Sequence, residues 1–388
     1  MNRVCPVPGG RLNVKTHREM MPMEQLLGFA ARENPLRPFL FVSRVLGRHI
    51  PARPSTMRET YKRLAEPLAA LPGPIWVMGM AETATGLGLG VADSLVRESG
   101  RSDVYAQHTT RHRGDFPPLL IFKESHSHAP MHIVQQPAHG LLRAFEKART
   151  LVIVDDEVST GRSVESLARG LLGRMPMVQH LAFVNLVDWL TPVRRNEIGE
   201  ILAVGASRAM LDVRWTSLME GSFTFIDDGD STELRVLPGN VHPQNRAVGV
   251  RGDLGRQGMR MPAHARLDLR ALGYADGLPP MDEPLTVIGT GECAFEPFLF
   301  AELLEGDGYD VHLQCISRSP AQRGGAILDT LDCQDPYGEG VGYYLHNPPS
   351  PTSFCIAVHE EPIAGPLAAD GHAWMHLQIP AHASDSER

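Results

Sequence analysis

The stretch TLVIVDDEVSTGRS, residues 150–163, decides the fold. Leu151 to Val154 form an apolar run of strand length, and Val164, Leu167, Ala168, Leu171 and Leu172 then recur on one helical face. Between them lie two adjacent carboxylates, Asp155 and Asp156, and a turn of small and hydroxylated residues, Ser159-Thr160-Gly161-Arg162-Ser163. A strand that hands over to a helix in this way is the repeating unit of a parallel α/β sheet, whose ligands bind at the carboxyl ends of the strands. Carboxylates only accept hydrogen bonds, so a pair of them there can hold both hydroxyls of a ribose. The turn opens a helix, where backbone N–H groups, hydroxyls and the positive helix end gather a phosphate dianion. Gly161 lets the backbone approach it closely. Acids for a diol and a metal beside a phosphate cradle describe the site of a 5-phosphorylated ribose. A strand ending in Asp-Asp at a solvated rim accounts for the acids alone and leaves the turn unexplained.

Outward from this segment, IWVMGMA (75–81), DVYAQH (103–108) and PLLIFKE (118–124) read as further strands, and Met57 to Leu71 as a helix. VQHLAFVNLVD (178–188) and EILAVGAS (200–207) add two more apolar runs. Strands alternating with helices predict a parallel sheet covered on both faces. A chain of 388 residues is too long for one ordinary core. Residues 1–34 read as an N-terminal arm, 35–225 as a first domain, and 226–388 as a second, smaller α/β domain that includes a variable linker without periodicity. The second domain proper begins at PLTVIGTGE (284–292), a strand, glycine turn and helix laid out like WVMGMAETATG, and FCIAVHEEP (354–362) faintly echoes LVIVDDEVS without preserving its acids and phosphate loop. The pattern suggests a worn internal duplication whose second half lacks a ligand site of its own, against the alternative of two unrelated β/α units, which recur throughout α/β folds.

Composition narrows the partners. The 37 basic and 45 acidic side chains leave a net charge of -8, a field that repels nucleic acid. No stretch approaches the length of an apolar membrane span and no signal peptide is evident, so the expected location is the cytoplasm. The five cysteines are scattered and read as reduced thiols.

Three further clusters carry polar chemistry. GMAETATGLG (79–88) places Glu82, Thr83 and Ala84 in a turn after the first strong strand, and HTTRHR (108–113) places Thr110 and Arg111 after the next, where Arg111 and Arg113 could clamp an anion. KESHSHAPMH (123–132) concentrates Glu124, His126, His128 and His132. Its His-x-His spacing admits metal ligation, an acid/base role over the reacting centre, or a plain polar loop.

Residues 151–163 closely resemble the phosphoribosyl pyrophosphate (PRPP) motif of the type I phosphoribosyltransferases. AETATG, TTR, SHSHA and VDDEVSTG, in that order, resemble the phosphoribosyltransferase family encoded with tellurium-resistance and stress-response operons, whose members carry a C-terminal domain named TRSP after a Thr-Arg-Ser-Pro motif. Here CISRSP (315–320) reads Ser317-Arg318-Ser319-Pro320. Two positions depart from the common pattern: Glu157 replaces an apolar residue, and Ser159 stands where purine-salvage members carry an acid, which weakens the case for a purine acceptor.

The resemblance implies a type I phosphoribosyltransferase fold with a second, smaller α/β domain, and Mg-dependent transfer of 5-phosphoribosyl from PRPP to a small-molecule, base-like acceptor. The product would be a nucleoside-like metabolite of a stress response. In that reading Asp155 and Asp156 hold ribose and Mg2+, Ser159 to Ser163 hold the 5-phosphate, and Glu82, Thr83, Ala84, Thr110 and Arg111 hold pyrophosphate. Arg111, His126 and His128 act beside the acids, and Gly291, Glu292, Ser317, Arg318 and Ser319 mark the second domain. A homodimer is a candidate assembly. Two other classes remain open at this point: a regulatory module that only senses PRPP or a nucleotide, and a metal-dependent hydrolase using the His loop.

Overall fold

The computed structural model describes residues 2–7, 9–32, 37–114, 116–123, 131–205, 210–228, 253–262, 277–319, 321–361, 363, 367 and 374–379. The chain opens with a hairpin of β1 (Asn2–Val7) and β2 (Gly10–Glu19), a helical turn α1 (Met23–Leu26), and the strands β3 (Leu27–Arg32) and β4 (Phe39–Ser43). Helix α2 (Pro54–Ala65) leads into β5 (Ile75–Gly79), α3 (Thr85–Ser99), β6 (Val104–His108), β7 (Pro118–Lys123), β8 (Met131–Gln135) and α4 (Leu142–Lys147). Then come β9 (Thr150–Val158), α5 (Arg162–Leu172), β10 (His180–Asp188), α6 (Pro192–Gly205), β11 (Asp212–Asp227) and the short β12 (Met259–Arg260). The last part holds β13 (Leu285–Thr290), α7 (Phe295–Gly306), β14 (Val311–Ile316), β15 (Ala321–Gly325), β16 (Thr330–Cys333), β17 (Tyr343–His346), β18 (Phe354–His359) and β19 (Trp374–Gln378).

The main sheet runs β1-β2-β11-β10-β9-β5-β6-β12. Its centre, β11 to β6, is parallel, as the strand–helix alternation predicts, and its edges are antiparallel. Residues read as an arm supply the β1–β2 edge, paired to β11. A second sheet, β14-β13-β18-β19, is parallel throughout. A third, β15-β3-β4, takes one strand from late in the chain and two from its beginning.

Burial explains the central units. The first five residues of β9 are buried and its three acids only half so, because the apolar run ends where the strand leaves the core. Val164, Leu167, Ala168, Leu171 and Leu172 are all buried, the stripe that α5 lays on the sheet. Helix α3 packs against β5 by close backbone approach, since a Cβ on Gly88 would lie 2.7 Å from the Gly79 Cα.

The apolar run from Glu200 to Gly205 ends α6, with Ile198 and Leu202 buried four residues apart in the helical period. One expectation shifts. PLLIFKE is a strand, β7, but pairs antiparallel with β8 in a separate hairpin rather than joining the parallel sheet. That hairpin lies over α5, where Leu120 methyl groups fill the space beside Gly170.

Candidate functional site

Adjacent strands β9, β5 and β6 end on one rim, and their loops are tied to each other. Met80 N–H donates to the Val154 carbonyl at 3.0 Å, and Thr109 N–H to Gly79 at 2.9 Å, so the pairing of the strands continues one residue past the sheet. Beyond it side chains take over. The Thr83 hydroxyl donates to Asp156 Oδ1 at 2.9 Å. Ala81 N–H donates to Thr109 Oγ1 at 2.8 Å, and Arg111 Nη2 to the Ala81 carbonyl at 3.1 Å. Glu82, Thr83, Ala84, Thr110, Arg111, Asp155 and Asp156 are thereby brought to one place. Ala84, buried, stands at the N-cap of α3.

Asp155 Oδ1 accepts the Asp156 N–H at 3.0 Å. Burial pushes the Asp156 carboxyl above the usual carboxylate range, with the Thr83 hydroxyl opposing it. Glu157, the residue out of pattern, takes Arg37 Nη2 at 2.9 Å, and that guanidinium lies over Phe39 and Phe41 at 5.2 and 5.1 Å from their centroids. Burial also pushes Glu157 up, and Arg37 counters it. The acid after the pair is thus absorbed in a cation–aromatic stack.

The turn Ser159 to Ser163 opens α5. Gly161 has φ +73°, and a Cβ there would lie 2.5 Å from the Ile198 Cδ1. Glu165 N–H donates to the Gly161 carbonyl at 2.9 Å, and Arg162 N–H to the Thr160 hydroxyl at 3.5 Å, so the helix opens at this turn. Thr160 and Arg162 are exposed, Ser159 and Ser163 half-buried. Arg194 steadies the turn, donating from Nε to the Thr160 carbonyl at 3.3 Å and from Nη2 to Glu165 at 2.8 Å.

His126, His128 and Glu124 lie outside the described residues. His132 is buried, its ring stacked on Phe122 at 4.7 Å, with Nδ1 3.1 Å from Thr109 Oγ1.

The second-half residues reach the same rim. Thr110 Oγ1 donates to Glu292 Oε2 at 2.6 Å, and Arg111 N–H to Glu292 Oε1 at 2.6 Å. Burial pushes Glu292 up, but His112, Arg256, His108 and the Thr110 hydroxyl together hold it well below the carboxylate range. Arg318 Nε donates to Glu82 Oε2 at 3.4 Å. Arg48 donates to the carbonyls of both Gly291 and Glu82. Ser317 exchanges backbone hydrogen bonds with Tyr344, and Ser319 Oγ lies 2.6 Å from His49 Nε2, a contact to one side of the acid pair's loop. The sequence had offered no sign of Arg37, Arg48 or Arg256, because a charge in an apolar or aperiodic run shows no periodicity, and only the faint echo in FCIAVHEEP touched Glu360.

Comparison with known proteins agrees with the geometry. A phosphoribosyl transferase family model matches residues 26–222. No curated protein matches the chain by sequence. Among solved structures, an adenine phosphoribosyl transferase from Trypanosoma brucei is 15% identical over 50% of this chain and 77% of its own, with a TM-score of 0.35. An orotate phosphoribosyltransferase from Mycobacterium tuberculosis H37Rv is 15% identical over 50% and 92%, at 0.30, and a hypoxanthine phosphoribosyltransferase from Staphylococcus aureus 16% over 44% and 78%, at 0.25. With the family model spanning half of its length, the chain belongs to the phosphoribosyl transferase family and is a phosphoribosyltransferase.

Proposed function

We propose that this chain transfers the 5-phosphoribosyl group of PRPP to a base-like small molecule and releases pyrophosphate, in the synthesis of a nucleoside-like metabolite of a stress response. The Thr83–Asp156 hydrogen bond carries the reading. It ties the loop assigned to pyrophosphate to the acid assigned to ribose, so that the two ends of one donor fall within reach of one rim.

In this reading the Ser159 to Ser163 turn receives the 5-phosphate at the mouth of α5, and Asp155 and Asp156 accept hydrogen bonds from the ribose hydroxyls. The backbone of Glu82 to Ala84, with Thr110 and Arg111, faces the pyrophosphate, whose charge grows as the glycosidic bond lengthens. The acids also stabilise the positive charge that spreads over the ring in an oxocarbenium-like state. Asp155 and Asp156, two adjacent oxygen-only carboxylates, would hold a magnesium ion that arrives with the donor, and such an ion would offset the charge of the leaving group. Water must be kept from the cation, and residues 109–135, part of which lies outside the described residues, are the candidate lid.

Calorimetry with PRPP and magnesium tests the assignment: the unaltered protein should bind, and a variant carrying both Asp155→Asn and Asp156→Asn should not. Full pyrophosphate release by that double variant would overturn the proposal.

A further inference from the structure

The second sheet repeats the centre of the first. Its order, β14-β13-β18-β19, matches β6-β5-β9-β10, parallel in both, with α7 between β13 and β14 where α3 lies between β5 and β6. Each unit also interposes an antiparallel hairpin before its third strand, β7–β8 in one and β16–β17 in the other. Even the tie to the hairpin recurs, as a bridge from Thr110 to Ile133 and from Ser317 to Tyr344.

Register makes the match residue by residue. Ile75 pairs with Val104 and Thr150, and Leu285 pairs with Val311 and Phe354. Counting from these starts, Glu82 corresponds to Glu292, Thr110 to Ser317, Arg111 to Arg318, and Asp156 to Glu360. Across their interface the units reach each other unequally: Glu292 accepts from the Thr110 hydroxyl and the Arg111 backbone N–H, and Glu82 accepts from the Arg318 guanidinium.

They differ where a donor would sit. Asp156 takes a threonine hydroxyl, whereas Glu360 takes both Nη groups of Arg256 at 2.7 Å and the Tyr337 hydroxyl at 2.6 Å. Arg256 Nε goes on to Glu292 at 3.0 Å, and Arg256, Glu292 and Glu360 are all buried. The chain after Glu361 reads PIAGPLAADG, without one hydroxyl to form a phosphate turn.

We propose that residues 285–379 are a second phosphoribosyltransferase-like unit whose donor cradle is filled by Arg256, and whose retained task is to position the first unit's pyrophosphate loop through Glu292. Glu292 is a positioning residue. It fixes Thr110 by its hydroxyl and Arg111 by its backbone N–H, and a loop released from both leaves pyrophosphate misplaced. The inference rests on the donor-binding reading above.

Calorimetry on the full chain with magnesium separates the two ideas, using PRPP, inorganic pyrophosphate and ribose 5-phosphate as probes. The unaltered protein should bind one PRPP per chain. Glu292→Gln should weaken pyrophosphate by about tenfold or more while ribose 5-phosphate, held by the other loop, stays within about twofold. Glu292→Asp, which keeps the charge facing Arg256 but withdraws the oxygens by one methylene, should act in the same direction and serves if the glutamine variant fails to fold. Two PRPP per chain would show the second cradle open. Unchanged pyrophosphate affinity, or equal weakening of both probes, would remove Glu292 as a positioning residue. If the unaltered protein binds none of the three, the donor-binding reading falls and this inference with it.

Discussion

Replacing Asp156 with Asn should separate binding from folding. The Thr83 hydroxyl meets Oδ1 at 2.9 Å, a bond that an amide carbonyl can still accept, so the loop tie survives. Burial raises the Asp156 pKa, which means that the folded state holds the proton more tightly than the unfolded chain does. The ionised carboxylate therefore opposes folding: the penalty is absent in acid and grows as pH rises through the raised value. At neutral pH the uncharged variant escapes it, and its melting temperature should equal or exceed that of the unaltered protein. A bound ribose, by contrast, exchanges a charged acceptor for a neutral one. Hydrogen bonds to charged groups contribute about 1.5–3 kcal/mol, so the affinity for ribose 5-phosphate should fall by roughly ten- to a hundredfold. Thermal melts and calorimetry on the same samples read the two quantities. An unchanged affinity, or a loss of affinity accompanied by a matching drop in melting temperature, would refute the reasoning.

Three further expectations follow from the packing. Gly161→Ala should destabilise the chain by about 1–2 kcal/mol, because φ +73° is left-handed and the new Cβ meets Ile198, and should weaken ribose 5-phosphate in calorimetry. Arg58→Met should lower stability in urea melts by about 3 kcal/mol, since its guanidinium joins buried Asp93 at 2.9 Å to Glu302 of α7 at 2.6 Å. Burial pushes the Glu296 carboxyl up to about 7, so its share of stability is complete below about pH 4.5 and is lost as pH rises through about 7; Glu296→Gln should flatten the fall, which one pKa unit per 1.4 kcal/mol puts at roughly 3 kcal/mol in melts across that window.

The parallel core and the acid pair were legible because both depend on neighbours in sequence. A run of four apolar residues, two acids and a hydroxyl-rich turn has one economical arrangement, and β9 and α5 adopt it with the expected faces buried. Where local pattern is ambiguous, packing decided. The apolar residues of EILAVGAS suit a strand or a helix, and the pairing of Ile198 with Leu202 beneath α6 selected the helix. Residues 1–34 read as an arm because the alternation of β2, at Leu12, Val14 and Thr16, is short, and the partner of that strand, β11, lies some two hundred residues away.

The role of the second half could not be read the same way, and the reason is specific. Thr110 and Glu292 stand 182 residues apart, and Arg256 is separated from Glu360 by 104, through a linker with no periodic signal. Sequence offered the types, a Glu after one strand and a hydroxyl–arginine pair after the next, in both halves. It could not say that Glu292 would serve the first half's pair, or that Glu82 would reach the arginine of the second. That follows only once the two carboxyl rims face each other, and then the consequence is asymmetric. Arg256, drawn from the linker, pairs with Glu360 and Glu292, while the first rim keeps its acids beside the Ser159 to Ser163 turn. A duplicated fold can in this way lose one donor site and still matter to the other, because the buried carboxylate that once belonged to its own loop now fixes its neighbour's.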